Sequence, residues 1–276
     1  SGKSTMARLL AMVYQPTSGE ILFRGQPLAG LRSRRDVLSY RGQVPMVFQD
    51  PFSSLNPART TGYTMTRALK LHQPVLDRAG REAEADRVLQ TVGLVPPRQT
   101  LAKYPHEMSG GQRQRVSFAL ALASRPKLVL ADEPVSMLDV SIRVGLLNLM
   151  ARLRDDEGVS VLYITHDIAS ARYVSDRVIV MYAGHVVESG PSEEVLHSPV
   201  HPYTRLLLSA VPNPRTPISV SSAEVGEPPR VVDPGEGCRF RQRCPLAAAI
   251  CSQVTPRLRS ASAGHEAACH VTVPES

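Results

Sequence analysis

KLVLADEPVSMLDVSIRVGLLNLMARLRDDEGVSVLYIT, residues 127–165, decides the fold class. Its first five residues, 127–131, are a short apolar run entered from Pro126 and closed by two acids, the pattern of a parallel strand buried on both faces. Residues 159–165 (VSVLYIT) repeat it. Between them, residues 140–157 place Val144, Leu147, Met150, Ala151 and Leu153 on one helical stripe. Strand, helix and strand in that order form a βαβ unit and predict an α/β domain with a doubly wound parallel sheet.

Working outward, strand and helix signals alternate from the start to about residue 210. Residues 64–93 read as helical, with acids and arginines interspersed and no strand signal. Residues 177–182, the pair Ala183-Gly184 and residues 185–188 predict a β-hairpin with a glycine turn. Residues 212–236, rich in Pro, Ser, Gly and Val without period, predict a linker or extended arm. There is no internal repeat.

The 276 residues suffice for one large domain with an appendage, and 42% hydrophobic with 21% charged residues suits a globular protein with a buried core. No run of eighteen apolar residues is present, so work at a membrane requires docking by a partner. The start at Ser1, with neither Met nor a charged-then-apolar leader, predicts a natural chain that begins further upstream. The net charge is +7, with 25 basic against 19 acidic side chains in residues 1–209, so the main body holds the excess. Such a body suits a nucleotide, an anionic lipid surface or nucleic acid. Its densest cluster, Arg32, Arg34 and Arg35, reads as a solvated loop.

Three features carry chemistry. Ser1-Gly2-Lys3-Ser4-Thr5 has the form of the end of a phosphate-binding P-loop, with residues 6–13 as its helix. There the Lys ammonium neutralises phosphate oxygens and the Ser hydroxyl binds Mg²⁺, beside backbone N–H groups at a helix start. Asp132 and Glu133 end an apolar strand, where a first carboxylate can hold Mg²⁺ and a second can polarise an attacking water. An N-cap acid is the plainer reading of that pair. Ser109-Gly110-Gly111-Gln112 opens a helix through Ala123, and two glycines let backbone approach a phosphate closely. An ordinary Ser N-cap reads equally well there.

With Gln49 after the apolar run VPMVFQD, and His166 at a strand end beyond Ser136-Met137-Leu138-Asp139, five elements stand in order over about 165 positions. In that order they resemble the ABC ATPase family of P-loop NTPases. The resemblance implies a parallel-sheet core with a helical signature subdomain at about residues 50–125. It implies ATP and Mg²⁺, with Gly2, Lys3, Ser4 and Thr5 at the phosphates and metal. Gln49 would sense Mg²⁺ and the γ-phosphate while touching the membrane subunit, and Asp132 would hold Mg²⁺. Glu133 would be the catalytic base and His166 a γ-phosphate contact. Ser109, Gly110, Gly111 and Gln112 would meet the ATP of an opposite ATPase domain, and Asp139 would bridge the two sites. Two departures are visible: the adenine-stacking aromatic and its strand precede Ser1 in the family, and Met137 stands where Ala is commoner.

Three segments narrow the branch: FQDPFSSLNP (residues 48–57), YPHE (104–107) and HPYTRLL (201–207) resemble the oligopeptide, dipeptide and nickel importers. That implies an ATPase domain over residues 1–200 and a C-terminal extension over 201–276. It also implies two membrane permease subunits, a solute-binding protein, a peripheral place on the cytoplasmic face of the inner membrane, and no nucleic acid. Cys238, Cys244, Cys251 and Cys269 have neither zinc-pair nor ferredoxin spacing, so spacing chooses no metal. The resemblance favours a [4Fe–4S] cluster, with zinc or plain thiols as alternatives. Two rival functions remain: a soluble ABC ATPase of DNA maintenance, disfavoured because only 59 residues without heptads separate Gln49 from Ser109, and a redox or structural cysteine module.

Overall fold

The structure is a computed structural model that describes residues 2–50, 54–210 and 235–273. Ser1 of the P-loop end, residues 51–53 of the Gln49 segment and residues 212–234 of the expected linker lie outside the described residues. The described residues fall into two compact units, one of residues 4–165 and one of residues 166–273 with the first residues up to Lys3.

In the first unit, β1 (Leu22–Phe23) and β2 (Gln26–Pro27) form a small antiparallel pair. The predicted βαβ unit is present: β4 (Leu128–Asp132) and β5 (Ser160–Ile164) run parallel, with β3 (Met46–Val47) on the other side of β4. Asp132 opposite Ile164 belongs to the strand itself, one residue beyond the run read from the sequence. β3 is only two residues long, because its ladder with β4 stops at Val47 opposite Ala131. Val129, Leu130 and Ala131 are fully buried, as a central parallel strand requires.

The helix α1 spans Lys3–Leu10, not residues 6–13. Gly2 (φ +89°) lets the chain turn straight into it, and left-handed Met12 (φ +55°) ends it, with the Val13 N–H reaching back to the Arg8 carbonyl at 2.8 Å. α2 (Arg34–Gln43) follows, capped by Ser33. The helical stretch at 64–93 is two helices, α3 (Thr61–His72) and α4 (Arg78–Thr91), started by Thr60 and Asp77 side-chain caps. Buried Met65, Leu69, Val88 and Leu89 are their apolar faces. Glu84 on α4 braces this region: it accepts from Arg87 Nε (3.0 Å), Gln73 Nε2 (3.3 Å) and Arg125 Nε (3.4 Å). The Arg87 guanidinium, more than the burial that opposes it, holds the Glu84 carboxyl down at about 2. α5 (Pro97–Ala102), α6 (Gly110–Leu122) and α7 (Val140–Asp155) complete the unit.

The second unit opens with α8 (Ile168–Val174). β6 (Arg177–Tyr182) and β7 (His185–Pro191) form the predicted hairpin, turning through Ala183 (φ +46°) and Gly184 (φ +83°). α9 (Ser192–His197) and α10 (Pro202–Ser209) follow. The tail then returns to the hairpin: β8 (Arg259–Ser262) and β9 (His265–Ala267) extend it to a four-stranded sheet in the order β6-β7-β9-β8. Tyr182, Tyr203 and Phe240 pack edge-on or tilted with centroids 4.7–5.4 Å apart, burying the start of the tail against the hairpin and α10.

The His-Pro-Tyr motif sits at that junction and its residue types are each used. His201 caps α10 by accepting the Tyr203 N–H on Nδ1 at 3.0 Å, Pro202 takes the first helical position, and Tyr203 enters the aromatic cluster. Burial pushes the His201 imidazole down to about 4, so the ring is neutral at pH 7. A His depressed in the folded chain contributes stability above its unfolded value near 6.5 and loses it as pH falls toward 4. At about 1.4 kcal/mol per unit this corner weakens by a few kcal/mol over that window. Tryptic cleavage of the tail should therefore accelerate between pH 6.5 and 5, and His201→Gln should flatten that dependence.

Candidate nucleotide-hydrolysing site

Four predicted residues meet in the first unit at the carboxyl end of β4, where ligands bind in open parallel sheets. Ser4 Oγ, near the N-terminus of α1, donates to Asp132 Oδ1 at 3.1 Å. Asp132 is nearly fully buried, while Glu133 beside it is half-exposed. Gln49 Nε2 donates to Glu133 Oε2 at 3.4 Å, so the exposed Gln49 side chain, just past β3, reaches Glu133 across the sheet end. The Ser4 hydroxyl and Asp132 carboxylate are hard oxygen donors, the set that Mg²⁺ takes. Gly2 and Lys3 immediately precede Ser4, and Thr5 lies exposed in the first turn of α1.

Glu133 holds a left-handed backbone, φ +47°, uncommon outside glycine. Three hydrogen bonds fix it: its N–H donates to the Ile164 carbonyl (2.9 Å), and its carbonyl accepts from Ser136 N (3.2 Å) and Ser136 Oγ (2.9 Å). This turn stands immediately past the end of β4, and from it the Glu133 side chain meets Gln49. Ser136 stood in the Ser136-Met137-Leu138-Asp139 run, but nothing in the sequence pointed to its bonds with Glu133.

Ser109 is both the helix cap and the opening of the glycine pair. Its Oγ accepts from Gln112 N at 3.3 Å, and Gln112 Oε1 accepts from Ser109 N at 3.1 Å. Those mutual caps leave the Gly110 and Gly111 amides as first-turn donors without helical acceptors. The structure also gives Gly111 a steric reason: a Cβ there would come within 2.5 Å of Ile142 Cγ2 on α7. One at Gly110 would touch Leu138 at 3.7 Å, so the α6 start is seated on the segment around exposed Asp139. A cleft of about 600 Å³ opens beside it, lined among others by Ser109, Gln112, Lys103 and Arg115. His166 lies two residues past the end of β5 and is exposed.

The cysteines depart from expectation. All four are free thiols, and Cys238 and Cys244 pack against the aromatic cluster of the second unit. Among the described residues no group of three or more His, Cys, Asp or Glu side chains is disposed to hold a metal ion. The neighbouring arginines do not lower the Cys238 and Cys244 thiols. Burial pushes the Cys238 and Cys244 thiols up, and negative charge on the other cysteines adds to it. Arg239 is engaged by the Ala183 carbonyl and Arg241 Nη1 by the Cys238 carbonyl (3.2 Å), so both guanidinium groups serve the backbone.

Comparison with known proteins agrees with this geometry. The family described as ABC transporter matches residues 1–136, and the family described as oligopeptide/dipeptide transporter, C-terminal region, matches residues 187–251. Asp139 and His166 lie beyond the first match but inside the span of full-length relatives. The oligopeptide transport ATP-binding protein AppF of Bacillus subtilis is 42% identical over 98% of this chain and 82% of its own length. The oligopeptide transport ATP-binding protein OppF of Salmonella typhimurium is 42% identical over 97% and 80%. Among solved structures, the dimeric ATP-binding cassette MJ0796 bound to ADP and Pi gives a TM-score of 0.61 at 28% identity, over 69% of this chain and 81% of that one. CbiO1 of Clostridium perfringens gives 0.63 at 29% identity, over 71% and 75%. The chain belongs to the ATP-binding proteins of ABC transporters, in the group that carries the oligopeptide/dipeptide C-terminal region.

Proposed function

We propose that this chain is the ATPase subunit that drives a peptide importer, with hydrolysis centred on Glu133. The Gln49–Glu133 contact beside Ser4–Asp132 supports this reading, because a carboxylate and an amide at one strand end suit a general base and a γ-phosphate sensor. Ser4 and Asp132 would hold Mg²⁺, which would supply charge neutralisation to the phosphates of ATP. Lys3 supplies a second positive charge to the phosphates, with the backbone amides at the start of α1. Glu133 accepts a proton from the attacking water as the water oxygen bonds to the γ-phosphorus; the bond from that phosphorus to the β–γ bridging oxygen breaks and ADP leaves, while Gln49 holds the carboxylate in line. His166 donates to the γ-phosphate. The protein's contribution is positioning and charge stabilisation, since phosphoryl transfer needs little covalent help.

Ser109, Gly110 and Gly111 address the γ-phosphate of an ATP held by a second ATPase domain, and Asp139 bridges the two sites. That pair works on two permease subunits at the cytoplasmic face of the membrane, fed by a solute-binding protein. No helix among the described residues is long and apolar enough to cross a bilayer, which agrees with peripheral docking. The DNA-maintenance reading finds no support among relatives that carry transport names. The iron–sulfur and zinc readings of the cysteines find none in the side-chain placement, and no step runs through them.

In vesicles holding the complete transporter, a labelled oligopeptide should accumulate only with both ATP and Mg²⁺. Chelating the metal should abolish hydrolysis and uptake together. ATP turnover undiminished in excess EDTA would overturn the site assignment, and coupled hydrolysis with no peptide uptake would overturn the cargo.

A further inference from the structure

The helix α6 bears the signature amides in its first turn and presents Gln114 and Ser117, three residues apart and so on one face, to the chain around Gln49. Gln114 is fully buried, and its Nε2 donates to the Phe48 carbonyl at 3.5 Å. Its Oε1 is buried without a hydrogen-bond partner. The opposite amide assignment would set two oxygens against each other, so the nitrogen faces Phe48. Ser117 Oγ donates to the Arg113 carbonyl at 3.1 Å, which makes Ser54 the donor in the 3.2 Å contact between Ser54 Oγ and Ser117 Oγ. Phe48 immediately precedes Gln49 and Ser54 lies five residues after it. One helix face therefore holds Phe48, just before Gln49, and Ser54, just after it in the chain.

Stability does not explain Gln114. A buried amide acceptor left unpaired is unfavourable, and an apolar side chain of similar size costs less at such a position. What its amide provides is a directional tether between the segment that senses nucleotide in one half-site and the helix that serves the other. We infer that Gln114, with Ser117, is a positioning residue that couples engagement of Gln49 to the orientation of the signature helix, so that the two half-sites close together. This rests on the reading of Gln49 and of Ser109, Gly110 and Gly111 as nucleotide contacts. Gln114 touches no reacting atom; it acts through the backbone it holds.

The test uses the complete transporter with Gln114→Leu, Ser117→Ala and, as a control on the underlying reading, Glu133→Gln. Gln114→Leu should leave Tm unchanged or higher and ATP affinity within about twofold. It should lower kcat by roughly two- to tenfold, the rate equivalent of one net hydrogen bond, and move the Hill coefficient for ATP toward one. Ser117→Ala should do the same to a smaller extent, about twofold. Wild-type kcat and cooperativity in Gln114→Leu, beside an inactive Glu133→Gln, overturn the coupling role and leave the ATPase reading intact. A fall in Tm matched by lost ATP affinity makes Gln114 merely structural. If Gln114→Leu does not fold, Ser117→Ala decides alone, and an unchanged kcat and Hill coefficient there sink the inference. An active Glu133→Gln removes the reading on which it stands.

Discussion

Glu133→Gln should slow steady-state ATP hydrolysis by about 10²–10⁴-fold while leaving ATP affinity nearly unchanged. That range is what a positioned general base contributes. The substitution is close to isosteric, so the left-handed backbone at φ +47° and its bonds to Ile164 and Ser136 should persist. The new amide oxygen still accepts from Gln49 Nε2, now 3.4 Å from Glu133 Oε2, so the Gln49 segment keeps its anchor. What disappears is the negative charge able to take a proton. In the proposed site, binding is the work of Ser4, Lys3 and Asp132, which the change does not touch. With hydrolysis blocked and binding intact, the ATP-bound closed pair should accumulate, visible as a larger species in size-exclusion chromatography with Mg²⁺ and ATP. Turnover within a few-fold of wild type would remove Glu133 from the role of base and leave Gln49 beside a merely structural carboxylate.

The parts that were legible are those with local physical causes. The strand–helix–strand unit at 127–165 was readable because full burial of a parallel strand demands an unbroken apolar run, and Val129, Leu130 and Ala131 supply one. The convergence of Ser4 with Asp132 was readable because a hydroxyl at a helix start and acids at a strand end meet when the sheet is parallel. Structure added what no linear pattern encodes. The Ser136 bonds that hold Glu133 in its strained turn, and the Ile142 methyl that excludes a side chain from Gly111, are contacts whose sequence signal is nil. The ends of α1 were misplaced because Gly2 and Met12 set them through positive φ, whereas residues 6–13 were placed simply as the stretch following the P-loop end.

The tail shows the opposite imbalance. Four cysteines within 32 positions suggested a ligand set, and arginines nearby suggested thiolates. Side-chain counts do not say where those groups point. Arg239 and Arg241 turn to backbone carbonyls, and burial beside Tyr182 and Phe240 keeps the Cys238 and Cys244 thiols protonated. Strands β8 and β9 were missed for a related reason. RSAS and HEA are too short and polar to signal strands, and they form because the β7 edge offers unpaired backbone groups.

That edge is held by a single carboxylate, and Glu188→Ala should release the tail. Glu188 is fully buried, and its two oxygens accept three donors from two directions. Val200 N (2.7 Å) and His201 N (3.0 Å) come from the entry to α10, and His265 Nε2 (2.7 Å) comes from β9. Its main chain continues the grip, with Glu188 opposite Ala267 in the β7–β9 ladder. Truncation leaves two backbone N–H groups and a His ring that is 2% exposed without their acceptor. Removing one partner of such a buried set typically costs about 3–5 kcal/mol. A loss of that size raises the population of the opened tail by about two to four orders of magnitude. Trypsin should then cut at Arg257 and Arg259 faster by a comparable factor when cleavage follows rapid local opening. Glu188→Gln keeps an acceptor oxygen for one or two of the donors and should fall between. Cleavage at the wild-type rate in Glu188→Ala would mean that the aromatic packing of Tyr182, Tyr203 and Phe240 alone holds the extension on the hairpin.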